Sequence, residues 1–229
     1  MIDNFEQFGF YHILSILIAI SIGLFFIALS LKSKNVKKVS IYLVISIIVI
    51  RSVRYIFDMY IGDFNILDLV SLHVCHINLI LLIICLFKPN RNLFVFNFLI
   101  GIPTALSVIL MPGSTHMYPG LLRAMFFIMS HTMLIMGTIY LLINYKFYIT
   151  KKDLFIYYVV SFVGIVIVYI FDYLTNSNFM YLLKSPNNLV LDYFYQYGQF
   201  YYLFFIYLLL IALITAMYYL NKYVVKLIK

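Results

Sequence analysis

Reactive side chains in this chain crowd into a few short segments of otherwise apolar sequence. The densest is Leu72-His73-Val74-Cys75-His76-Ile77-Asn78, which sets a thiol among two imidazoles and an amide. On a helix, Cys75 and Asn78 share a face at i, i+3 while His73 and His76 share another, so Asn78 is the hydrogen-bonding neighbour expected for the thiol. A thiol becomes a nucleophile when a base takes its proton. His131 lies in a separate apolar run, about 13 Å into its helix against about 9 Å for Cys75, counting about 1.5 Å per residue. That match in depth allows a Cys/His pair across two helices, with Cys75 and His131 as the catalytic residues.

Further ionisable groups stand at the same level. His12 opens the first apolar run, Arg51, Arg54 and Asp58 end the second, Asp68 opens the third, Arg123 begins the fifth and Asp172 closes the sixth. A charge inside an apolar span costs about 2.5–3.5 kcal/mol on insertion scales, so each such residue is a candidate for function. His73, His76, Asn78, Arg123, Arg54 and His12 are the candidate substrate-binding residues. Competing structural roles are clear for several of them. Arg54 and Asp58, at i, i+4, are expected to pair, and Arg123 to reach along the helix toward a lipid phosphate. His73 and His76 can bond neighbouring helices together. His12 and His116 lie near an interface, and Cys85 reads as a small apolar residue.

The elements that must carry these groups are membrane spans. The chain has 229 residues, 65% hydrophobic and only 10% charged. A soluble domain is roughly 25% charged, so too little polar surface is available here to cover a water-facing globule. A helix crossing a bilayer needs about 20 apolar residues. Seven runs qualify, near His12–Leu31, Val39–Phe57, Leu69–Phe87, Leu93–Met111, Arg123–Ile143, Leu154–Leu174 and Gln199–Leu220. Polar or helix-breaking stretches separate them, among them Lys32–Lys38, Lys88-Pro89-Asn90-Arg91 and Met111-Pro112-Gly113-Ser114. The expected fold is all-α: a polytopic integral membrane bundle of seven transmembrane helices forming one domain over residues 1–229.

Charge fixes the expected orientation. Twelve of the sixteen Lys and Arg fall in alternate connections or at the C-terminus, whereas seven of the eight acids fall on the opposite side. The positive-inside rule then sets the N-terminus outside and the C-terminus in the cytoplasm of a multi-pass protein of the cell membrane. The reactive groups thus lie in the outer half. The long connection Thr175–Gly198 is an external loop with amphipathic pieces. Asp3 and Glu6 ahead of the first run are unlike a signal peptide's basic start.

Several function classes lose their support. The net charge of +8 comes from residues flanking the spans rather than from a patch, so no nucleic-acid partner is expected. Cys75 and Cys85 are ten residues apart on one helix, about 15 Å, and cannot bridge. The sequence contains no His-Glu-x-x-His, Gly-x-Ser-x-Gly or Walker motif. No lysine occupies the middle of the last span, as a retinal Schiff base would require. Haem on two of the histidines, or a metal on His73, His76 and Cys75, stays open but has no recognisable ligand spacing. No cofactor is expected.

Four segments carry a family resemblance: Phe5-Glu6-Gln7-Phe8-Gly9-Phe10-Tyr11-His12, Leu72-His73-Val74-Cys75, Phe127-Ile128-Met129-Ser130-His131, and Asn178-Phe179-Met180-Tyr181-Leu182. In order and spacing they resemble the YwaF-like integral membrane proteins, a bacterial group similar to the eukaryotic transmembrane protein 164 lipid acyltransferases. The resemblance implies acyl transfer with the cysteine as nucleophile and the histidine as its partner, which map to Cys75 and His131. The chain departs from the pattern at Gln199-Phe200-Tyr201, where relatives tend to have Trp-Pro-Trp-Tyr, and at His76.

Two functions follow as expectations. The first is a thiol-dependent phospholipid acyltransferase or transacylase at the outer-leaflet level, with membrane phospholipids as donors and a lysophospholipid or other acyl acceptor. The second is a non-enzymatic binder or transporter with an outer cavity lined by His73, His76, His131 and Asp172.

Overall fold

The computed structural model describes residues 8–33, 35–62, 64, 72–110, 121–186 and 189–227. Asp3, Glu6, Lys34, Asp63, Asp68, the Met111–Ser114 turn, His116 and Lys229 lie outside the described residues. Within them the elements are α1 (Phe10–Lys32), α2 (Val36–Tyr60), α3 (Val74–Phe87), α4 (Arg91–Phe96), a π-helical turn (Asn97–Gly101), α5 (Ile102–Leu110), α6 (Leu121–Tyr145), α7 (Lys151–Thr175), a 3₁₀ turn (Phe179–Tyr181), α8 (Leu189–Tyr195) and α9 (Gln199–Leu227).

Six helical stretches are long and apolar enough to cross a membrane: α1, α2, the continuous run Arg91–Leu110, α6, α7 and α9. The third expected span differs. Its helix begins at Val74, because His73 holds an extended ψ of 130°, and runs for 14 residues. At about 1.5 Å per residue that is about 21 Å, shorter than a hydrocarbon core of about 30 Å. Cys75 is therefore the second residue of a short helix instead of lying two turns into a long one.

Local chemistry sets the other boundaries. Asn35 caps α2 by accepting from the Lys38 amide at 3.0 Å, and Asn90 caps α4 by accepting from Asn92 and Leu93. Thr150 and Asp153 form a capping box that starts α7, and Asn176 ends it in the left-handed region at φ 53°. Pro103 explains the π turn. Its ring nitrogen cannot donate to the Leu99 carbonyl and would collide with it in a regular helix. Widening the turn before it, with the Ile102 N–H donating to Asn97, relieves that conflict.

Helix α6 is the hub and packs on α1, α2, α3 and α5. Small residues allow this closeness. A Cβ on Gly137 would stand 2.8 Å from Leu82 of α3, and one on Gly23 of α1 would stand 2.5 Å from Met136. Helices α7 and α9 pair with each other at the side and leave long apolar faces exposed. The basic segments gather at one end. Tyr140 donates to the Val36 carbonyl, Arg91 binds both Asp153 and the Tyr148 carbonyl, and Asn221 accepts from the Ile149 amide. Asp153, the eighth acid, is thereby accounted for as a clamp between two basic connections.

Candidate functional site

At the opposite end, residues of α2, α3 and α6 form a small, partly open cavity lined by Arg51, Cys75, His76, Leu79, Ser130, His131 and Leu134. Of the candidate residues, Cys75, His76 and His131 thus share one space. Cys75 stands in the first turn of α3.

Hydrogen-bond partners fix which nitrogen of each imidazole carries the proton, because a carbonyl only accepts and an amide or guanidinium only donates. His131 Nδ1 lies 2.8 Å from the Phe127 carbonyl, so Nδ1–H donates there and the lone pair of the neutral ring is on Nε2. In the other described histidines a fixed donor meets the lone pair. The Arg51 guanidinium donates to His76 Nε2, the Met180 amide donates to His73 Nδ1 at 3.1 Å, and the Phe8 amide donates to His12 Nδ1 at 2.9 Å. With its proton held on Nδ1, His131 keeps Nε2 as its basic nitrogen, the neutral form that a general base needs.

The remaining candidates do not line the cavity. His73 serves the external connection instead: its ring packs against Phe179 and Tyr181 and receives the Met180 amide. Met180 and Tyr181 both sit at positive φ, 55° and 57°, conformations that side chains rarely adopt and that the surroundings must enforce. Tyr202 donates to the Tyr181 carbonyl at 2.7 Å, and Gln199 to that of Leu182, which supplies part of that enforcement. Asn78 is fully buried one turn below Cys75 with its amide against Gly101, and it does not line the cavity. His12 is fully buried at the head of α1. Asp172 is fully buried near the end of α7.

Arg54 and Arg123 converge on Asp58, with Arg123 Nε 2.7 Å from one carboxylate oxygen and Arg54 Nε 3.6 Å from the other. The expected Arg54–Asp58 pair is present, but Arg123 joins it and is buried instead of extending toward an interface. The Arg54 guanidinium also covers the Phe127 ring at 4.8 Å, and that ring contacts His131 at 4.4 Å. The ionic cluster thereby supports the base from behind. Among the described residues no group of three or more His, Cys, Asp or Glu is arranged to hold a metal ion, so the His73/His76/Cys75 reading gains no geometric support.

Sequence reasoning passed over two cavity residues. Arg51 was visible as an ionisable group near the end of α2, but its direction depends on helix rotation. Ser130 gave only its adjacency to His131.

Together these features define a polytopic helical membrane protein with a thiol and an imidazole on one internal cavity. The chain belongs to the TMEM164 family, whose model matches residues 7–218. No curated protein and no solved structure matches it.

Proposed function

We propose that the protein is a membrane-embedded, thiol-dependent phospholipid acyltransferase or transacylase. The observation that carries this reading is the cavity shared by Cys75 and His131, with the His131 proton held on Nδ1 by the Phe127 carbonyl. Membership of the TMEM164 family supports it, through the cysteine and histidine roles that the resemblance implies.

In this reading His131 Nε2 takes the thiol proton, and the sulfur attacks the carbonyl carbon of a phospholipid acyl ester. A carbon–sulfur bond forms and the carbonyl electron pair moves onto oxygen. Collapse expels the lysolipid alkoxide, which takes the proton from His131 and leaves an acyl thioester on Cys75. An acceptor lysolipid then reverses the steps: its hydroxyl proton passes to His131 as its oxygen attacks the thioester. The basic end of the bundle faces the cytoplasm of a cell-membrane protein with its N-terminus outside, so substrate enters from the outer leaflet. Of the four residues in the binder or transporter reading, His76 and His131 line this cavity and His73 and Asp172 do not.

Purified protein in detergent with a phospholipid and a lysophospholipid of distinguishable chains should exchange acyl groups, followed by mass spectrometry. Cys75→Ala should abolish the exchange and Cys85→Ala should retain it. No exchange by the wild type, or exchange that survives Cys75→Ala, would overturn the reading.

A further inference from the structure

Arg51 has no place in the scheme so far, although it lines the cavity beside Cys75 and His131. Two contacts hold its guanidinium. Nη2 donates to His76 Nε2, and Nε donates to the Tyr55 hydroxyl at 3.1 Å, with the guanidinium carbon 4.9 Å from the Tyr55 ring centre. His76 is neutral in this arrangement, since its Nε2 accepts, and it acts as a bracket for the arginine. A guanidinium has five N–H donors, so three remain after these two contacts. Among the described residues Arg51 has no ion pair; the nearby carboxylate, Asp58, binds Arg54 and Arg123.

A partly desolvated cation with unused donors calls for an anion. Beside the Cys75 thiol, the anion that acyl transfer would generate is the oxygen of the carbonyl that the sulfur attacks.

We propose that Arg51 is a third catalytic residue, whose free N–H groups stabilise the oxyanion formed when Cys75 adds to the acyl ester. The inference rests on the acyl-transfer reading. The charge develops as the carbonyl pair moves onto oxygen and disappears when the lysolipid alkoxide leaves, so Arg51 exchanges no proton. His76 and Tyr55 keep the guanidinium oriented before substrate arrives, which is what makes such stabilisation effective.

The test measures the rate at which Cys75 is acylated by two donors, a phospholipid and the neutral ester p-nitrophenyl octanoate. Loss of an oxyanion donor lowers such rates about 10²–10³-fold. Arg51→Ala should slow both donors by about that factor. Arg51→Lys, which keeps the charge without the planar fork, should fall between, and thermal unfolding of each variant identifies any failure to fold. Loss with the phospholipid alone would overturn the proposal by assigning Arg51 to the headgroup phosphate. Unchanged rates with both donors would overturn it by leaving Arg51 a structural role. A wild type acylated by neither donor removes the acyl-transfer reading, and this inference with it.

Discussion

Replacing Asp58 by Asn should destabilise the protein strongly, although no part of the cavity is touched. Asp58 is fully buried, and Arg54 and Arg123 are nearly so. With an effective dielectric of about 20, gross attraction is about 6 kcal/mol for the 2.7 Å contact and about 5 kcal/mol for the 3.6 Å contact. Desolvating three ions costs several kcal/mol each, so the cluster as a whole contributes little net stability. Removing the carboxylate charge alone is different, because both guanidiniums stay buried and now repel each other. Breaking such a pair costs about 3–5 kcal/mol. For a chain of this size that corresponds to a drop of roughly 6–20 °C in Tm. The assay is thermal unfolding in detergent, read by a thiol-reactive fluorophore as the buried Cys85 becomes accessible in a Cys75→Ala background. Asp58→Glu should fall between Asn and wild type. An Asp58→Asn variant that melts within 2 °C of its parent would refute the account of a desolvated ionic cluster.

Two other substitutions probe how the site is held. In Gly101→Ala the new methyl would stand 3.0 Å from Asn78 Oδ1 and 3.3 Å from Leu134, so overpacking should cost about 1–3 kcal/mol and slow Cys75 acylation. Gly164→Ala on α7 meets nothing within 4 Å and should instead stabilise by about 0.5–1 kcal/mol; both are read by thermal unfolding. Tyr202→Phe deletes the donor to the Tyr181 carbonyl and should cost about 1–3 kcal/mol, with faster limited proteolysis between residues 176 and 186.

What the sequence made legible was whatever depends on local chemistry. Apolar runs located most of the long helices to within a few residues, as with His12–Leu31 against Phe10–Lys32, since hydropathy and length decide a span, but α9 runs on past Leu220 to Leu227. The pairing of Arg54 with Asp58 followed from i, i+4 spacing. Contacts between distant segments were not legible. The start of α3 at Val74 goes with a His73 ring that receives the amide of Met180, 107 residues later. The burial of Arg123 needs the rotation of α6 against α2, which no periodicity in either helix supplies. The depth match of Cys75 with His131 was counted from a helix start near Leu69, whereas α3 starts at Val74, and a shared cavity also requires that both helices turn the right faces inward. The same rotational ignorance hid Arg51. The π turn at Asn97–Gly101 was not read from the sequence, although the missing donor of Pro103 accounts for it.

The most direct measurement is the mass of the intact protein after brief exposure to a phospholipid donor. The wild type should carry one acyl group on Cys75, released by hydroxylamine as a thioester is. Cys75→Ala should carry none, and His131→Gln should gain it about 10²-fold more slowly or worse, because no base then takes the thiol proton. An acyl group that forms equally fast without His131, or that sits on Cys85, would contradict a thiol and imidazole working together in this cavity.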